Sequence, residues 1–165
     1  MVLMGKAFKF GDDINTDYII PAKYKAMAKD IEEMSQYLMK ETAPDLVERI
    51  KPGDFLVAGY NFGCGSSREA APVVIKENGI SAVLAHSFGR IFFRNAINIG
   101  LPVVECNTDM VVDGDLLNLD LESGRLVNST TGQSIAMKPM PKFIKRIINE
   151  GGILNYLKAH KLENI

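Results

Sequence analysis

Tryptophan is absent from this chain, histidine and cysteine occur twice each, and charges of opposite sign nearly cancel. Two cysteines, Cys64 and Cys106, cannot build the disulfide framework of a small secreted domain, so a reducing cytoplasm is the expected compartment. A net charge of -1 and a pI near 6.1 remove the electrostatic reason to expect nucleic acid or an anionic membrane as partner. No apolar run approaches the roughly 18 residues that cross a bilayer. The opening Met1-Val2-Leu3-Met4-Gly5-Lys6 is too short and too soon charged for a secretory signal. Repeats, low-complexity tracts and linkers are also missing, so residues 1–165 are expected to form one domain. At 47% hydrophobic and 24% charged, that domain has the makings of an ordinary core.

What is present is concentrated in Tyr60-Asn61-Phe62-Gly63-Cys64-Gly65-Ser66-Ser67-Arg68-Glu69. The apolar run Phe55–Ala58 before it reads as a buried strand, and a helix-like segment after it ends near Asn78-Gly79. A strand, a glycine-rich turn and a helix start together make an anion site, because unpaired N–H groups and the positive dipole end point the same way. Two hydroxyls and a guanidinium at that place suggest a carboxylate-bearing substrate and a proton to be moved. The bland alternative is a capping box, with Ser66 as N-cap and Glu69 three residues on. Three features go beyond a cap. Gly63 and Gly65 let backbone approach a ligand, Ser67 is a hydroxyl the cap does not need, and Arg68 opposes the helix dipole unless an anion answers it.

Around this motif the pattern is α/β. Lys6 to Gly11 alternates weakly as a strand, and helical spacing covers about Asp30 to Lys40 and Pro44 to Ile50. Ser81–Ala85 and Leu101–Glu105 read as further buried strands, with a helix from Ser87 to about Ile99 stopped by Gly100. Strand–helix–strand–helix–strand implies a parallel core with right-handed crossovers. From Met110 to Met137 short apolar runs are broken by Asp113-Gly114, Ser123-Gly124 and Thr131-Gly132, which is hairpin chemistry. A closing helix from Pro141 to about Leu157 is interrupted at Gly151-Gly152.

Other candidate chemistry is weaker. Asp13, Asn15 and Asp17 open like a calcium loop, but Tyr18 stands where glycine is required and Tyr24 where the closing glutamate belongs. Asx turns explain them better. Arg90 and Arg94, four apart on one helix face, call for carboxylate partners. His86 ends a strand without a partner pattern. Cys64 sits at an expected helix N-terminus, where thiols are activated, yet lacks a histidine to work with. No cysteine–histidine grouping with metal-ligand spacing occurs, so no metal site is expected on this chain.

Three motifs, Asp12-Asp13-Ile14-Asn15-Thr16-Asp17, Gly63-Cys64-Gly65-Ser66-Ser67-Arg68-Glu69 and Ser87-Phe88-Gly89-Arg90-Ile91-Phe92-Phe93-Arg94-Asn95-Ala96, resemble the small subunits of isopropylmalate dehydratase and homoaconitase. Those form the swivel domain of the aconitase family, and the resemblance covers essentially the whole chain. It implies a three-layer, swivelling β/β/α domain with a parallel core and added antiparallel hairpins. It implies a hydro-lyase that moves a hydroxyl between adjacent carbons of a hydroxy-dicarboxylate. On this resemblance Ser66 abstracts the carbon-bound proton, Ser67 and Arg68 hold substrate carboxylate, and Thr16 and Asp17 face the same cleft.

The resemblance also implies a partner. A catalytic 4Fe-4S cluster needs three protein thiolates, and this chain has two cysteines far apart in sequence. The cluster is therefore expected on a large subunit, with no cofactor on this chain; self-association of the isolated chain is left open. Substrate choice is expected in the loop Lys23-Tyr24-Lys25-Ala26-Met27 after Pro21. Homoaconitase-like members carry arginine where this sequence has Ala26. Ala26 and Met27 suit a methyl or isopropyl branch, whereas Lys25 is either a carboxylate reader or a solvated loop lysine. The leading expectation is the isopropylmalate type, ahead of homoaconitase and of methyl- or dimethylmalate dehydratase. The rival from another class is a non-catalytic organic-anion-binding module.

Overall fold

A computed structural model describes residues 1–160; positions 161–165 of the expected domain lie outside them. The elements run β1 (Val2–Lys9), α1 (Thr16–Ile19), α2 (Ala22–Met27), α3 (Ile31–Ser35), α4 (Leu46–Arg49), β2 (Phe55–Val57), α5 (Ala70–Glu77), β3 (Ala82–Ala85) and α6 (Arg90–Asn98). Then follow β4 (Val103–Glu105), β5 (Leu116–Asp120), β6 (Arg125–Asn128), β7 (Gln133–Ile135), α7 (Lys142–Asn149) and α8 (Ile153–Ala159). The strands form one mixed sheet in the order β4-β3-β2-β1-β5-β6-β7. The expected parallel core is β2-β3-β4, which β1 extends by pairing parallel with β2, and the expected hairpins are β5-β6-β7.

β1 joins the two halves. Its residues Val2–Lys6 pair antiparallel with β5, and Ala7–Lys9 pair parallel with β2. The sequence showed only the second half of this strand, because the exposed first half is ordered by a partner more than a hundred positions away. At the far edge, Asn107 N donates to Ala136 O at 3.1 Å and Lys138 N to Glu105 O at 2.8 Å. The chain leaving β7 thus covers the end of edge strand β4, and the curled sheet meets itself there.

Every residue of β2 and β3 is buried, as parallel strands with both faces covered require. α5 buries Ala71, Val74 and Ile75 in the same core, and α6 buries Phe92, Ala96 and Ile97. Three expected helices are shorter than the sequence suggested, the one expected from Pro44 to Ile50 being the single turn Leu46–Arg49. After Ser35 the chain continues as i→i+3 turns, because Met39 turns left-handed (φ 50°) and gives its N–H to Ile19 O at 2.9 Å. The helix expected from Ser87 starts at Arg90, since Ser87–Gly89 is held extended by a neighbouring loop.

Asp54 sits where β1 exchanges one partner for the other. It is 6% exposed, and its carboxylate accepts Lys6 N and Lys51 N, both at 2.8 Å. Asp54→Ala is expected to orphan two covered N–H groups and destabilise the chain by about 2–4 kcal/mol. Chemical denaturation measures this directly: a lower midpoint at unchanged m is the expected outcome, and an unchanged midpoint would contradict it.

Candidate active site

β1, β2 and β3 do not end where regular pairing ends. Their continuations, residues 10–17, 58–68 and 86–89, run on side by side past the C-terminal edge of the sheet. Open parallel sheets bind ligands at that edge. On one side of the middle segment, Gly59 N donates to Gly11 O (3.0 Å), Tyr60 N to Asp12 Oδ1 (2.7 Å) and Gly63 N to Ile14 O (2.7 Å). On the other side, His86 N donates to Gly59 O (3.0 Å), Asn61 N to Ser87 Oγ (2.8 Å) and Gly89 N to Phe62 O (2.8 Å). The glycine-rich segment is a middle strand without regular pleat.

Gly63 has φ 76°, and a Cβ there would overlap the Phe92 ring on α6. Its smallness lets the loop lie on the helix, rather than letting a ligand approach. Gly65 (φ 94°) is exposed with ordinary clearance, so ligand access fits that position instead.

The segment ends in the expected site. Ser66 and Ser67 are exposed. Thr16, 2% exposed, donates its hydroxyl to Ser66 O at 2.8 Å and its N–H to Cys64 O at 2.9 Å. Arg68 pairs with Asp17 through Nη2, while its Nε is buried without a hydrogen-bond partner. Of the positions singled out around Ser66, Thr16 meets Ser66 and Asp17 meets Arg68, while Ser67 is exposed beside them without a hydrogen-bond partner among the described residues. The amides from Gly65 to Glu69 donate to no protein acceptor among the described residues, and α5 begins directly after them.

The capping box does not form. α5 starts at Ala70, Glu69 occupies the N-cap with helical backbone, and no side chain caps the helix. Ser66 lies outside the first turn because Thr16 holds its carbonyl in the ladder of loops. Arg68 is answered by Asp17 and needs no bound anion to account for its place. Cys64 is likewise not activated: burial, then the Asp13 carboxylate, push its thiol pKa up. Arg90 and Arg94 are exposed and take no carboxylate partner among the described residues, against the ion pairing expected of them.

His86 was expected to end β3 and lies one residue past it, with Nε2 2.9 Å from Asp109 Oδ1 and its ring stacked on Tyr60 at 4.4 Å. These residues line a cavity of about 550 Å³ that does not include Ser66. In the loop expected to choose substrate, Lys23 pairs with Glu41, which raises its pKa, and Tyr24 stacks on Tyr37 at 4.6 Å. Those two side chains fasten α2 to the fold. Lys25, Ala26 and Met27 are exposed. Asp12, Asn61 and Ser87 belong to the sequence motifs, but sequence reasoning missed that they tie the loops together; the signal for that role was a polar side chain past a strand end.

The aconitase C-terminal domain model matches residues 14–108, from the turn before Thr16 to the end of the parallel core. The chain is 49% identical over 160 residues to a 3-isopropylmalate dehydratase small subunit of Archaeoglobus fulgidus, covering 97% of both chains. It is 46% identical over 165 residues to the isopropylmalate/citramalate isomerase small subunit of Methanocaldococcus jannaschii, covering 99% of this chain and 98% of that one. This chain belongs to the family of 3-isopropylmalate dehydratase small subunits. A crystal structure of 3-isopropylmalate dehydratase from M. jannaschii superposes with a TM-score of 0.93 at 44% identity, covering 99% of this chain and 97% of that one. The swivel-domain architecture expected from the motifs is therefore the observed one.

The aconitase family implies an iron–sulfur cluster, and the residues here do not fit one. Cys64 and Cys106 are the only thiols, they lie in separate segments, one before α5 and one after β4, and burial pushes Cys106 up to about 12. An exposed thiol titrates near 8.5, so the native chain keeps the Cys106 proton where the unfolded chain loses it. The resulting stabilisation is complete below about pH 8.5 and is lost as pH rises toward about 12. Denaturant titrations across that window are expected to show native stability falling more steeply with pH than in Cys106→Ala. Parallel slopes would contradict it.

Proposed function

We propose that this chain, acting as one domain, is the small subunit of a two-subunit hydro-lyase that interconverts 2- and 3-isopropylmalate by dehydration and rehydration. The observation that carries the reading is the exposed Ser66-Ser67 pair and the half-buried Arg68 after it, with their run of free amides and their tie to Thr16 and Asp17. The relatives' names supply the substrate.

Ser66 Oγ takes the carbon-bound proton. It does so as the alkoxide, its own proton having gone to solvent, and becomes a neutral hydroxyl; the adjacent amides and the start of α5 stabilise that alkoxide before the transfer, which makes a poor base usable. Substrate carboxylate binds the Ser67 hydroxyl, the free amides and the Arg68 guanidinium, which Asp17 holds at the rim. Thr16 fixes the Ser66 backbone from below. The 4Fe-4S cluster, for which this chain lacks thiolates, is assigned to the partner large subunit. Two free thiols support a cytoplasmic setting, where thiols stay reduced.

Ala26 and Met27, exposed on α2, present an apolar surface to the substituent on the malate. Burying an unpaired third carboxylate there would be costly, whereas methyl and isopropyl groups are accepted. The relative named for both isopropylmalate and citramalate favours a second substrate of the methyl type. Higher kcat/KM for a homocitrate-type tricarboxylate than for isopropylmalate would overturn this assignment and point to Lys25 as a carboxylate reader.

In the enzyme reconstituted with its large subunit, Ser66→Ala is expected to lower kcat about 10²- to 10⁴-fold with little change in KM. Because Ser66 caps no helix, the melting temperature should stay near that of the native chain. Arg68→Lys is expected to raise KM as well, since a point charge cannot reproduce a bidentate guanidinium. Activity that falls only in step with lost stability would remove Ser66 from the role of base.

A further inference from the structure

The glycine-rich segment turns left-handed at every second residue: φ is 62° at Asn61, 76° at Gly63 and 94° at Gly65. Glycine adopts this conformation freely, whereas a residue with a Cβ pays for it. Asn61 is thus the one member of the series that keeps a side chain. Directly opposite stands Asp13, also left-handed at φ 54°. Asn61 Nδ2 donates to Asp13 Oδ1 at 2.9 Å, and Asp13 N donates to Tyr60 O at 2.8 Å. Apart from Met39, these are the only non-glycine residues with positive φ among those described.

Both side chains are exposed, where a hydrogen bond adds little stability. Glycine at either position would satisfy the backbone at lower conformational cost. Strain kept by the fold in such a place points to function. The pair stands near the start of a ladder that runs Asp12–Tyr60, Asp13–Asn61, Ile14–Gly63, Thr16–Ser66 and Asp17–Arg68. Its offset therefore sets where Thr16 and Asp17 meet Ser66 and Arg68.

We infer that Asp13 and Asn61 are positioning residues: their side-chain bond fixes the register between the two loops, so that the Ser66 hydroxyl and the Arg68 guanidinium address one substrate together. The inference rests on Ser66 as base and Arg68 as carboxylate partner. Neither Asp13 nor Asn61 is required to touch the substrate.

Asn61→Gly tests it, because glycine keeps the left-handed backbone and deletes only the bond. In the reconstituted two-subunit enzyme, kcat is expected to fall on the order of ten- to hundredfold, as for a misplaced catalytic group, with Tm close to native. Asp13→Gly should behave alike, and the double variant should lose no more than either single one. Asp13→Asn, which retains an acceptor oxygen, should restore activity. Full activity in Asn61→Gly, or a loss that merely follows Tm, would overturn the inference. Ser66→Ala assayed alongside separates the two layers: if it is inactive while Asn61→Gly is fully active, only the positioning role fails. An active Ser66→Ala would remove the reading on which that role rests.

Discussion

The backbone from Gly59 to Ser66 holds its course because chain lies against it on both sides. It has no regular pleat and repeatedly turns left-handed, so alone it would be one of many loop conformers. The 10–17 segment and the 86–89 segment remove that freedom by hydrogen-bonding it along both edges. A loop normally loses much conformational entropy on being fixed; here the cost is spread over three neighbouring segments that order one another. The parallel pairing of β1, β2 and β3 brings the three together, since each segment is the direct continuation of one strand.

The same arrangement explains why the site is both rigid and open. Phe62 inserts into the aromatic group of Phe88 and Phe92, with Phe62 and Phe92 edge to face at 5.2 Å, and anchors the loop from beneath. Above that anchor Ser66 and Ser67 stand exposed. A surface serine is a poor catalyst, because water competes for every group that must be oriented. The open face calls for a second protein surface to close over it, which suits a chain that lacks the thiolates for its own cluster.

The core strands β2, β3 and β4, the helix stop at Gly100 and the break at Gly151-Gly152 were legible because apolar runs and glycine punctuation are local signals. The first half of β1 was not, since its order comes from β5 across the sheet. The start of α5 was misplaced by three residues for a similar reason: Ser66–Glu69 has the composition of a capping box, but Thr16, some fifty positions earlier, claims the Ser66 carbonyl first. The residues of the site were visible as a motif. What brings them together, the pairing of Asp12, Asp13, Ile14 and Thr16 with a second loop, is a tertiary ladder with no periodic trace in the sequence.

In the proposed function this chain supplies base and carboxylate contacts but no cluster, and reconstitution measures that directly. A cluster-loaded large subunit of a 3-isopropylmalate dehydratase, freed of its own small subunit, would be assayed for interconversion of 2- and 3-isopropylmalate with and without this chain. The expected result is turnover only in the mixture, with each component inactive alone. Turnover by this chain alone after anaerobic iron and sulfide treatment, or a mixture no more active than the large subunit by itself, would contradict it.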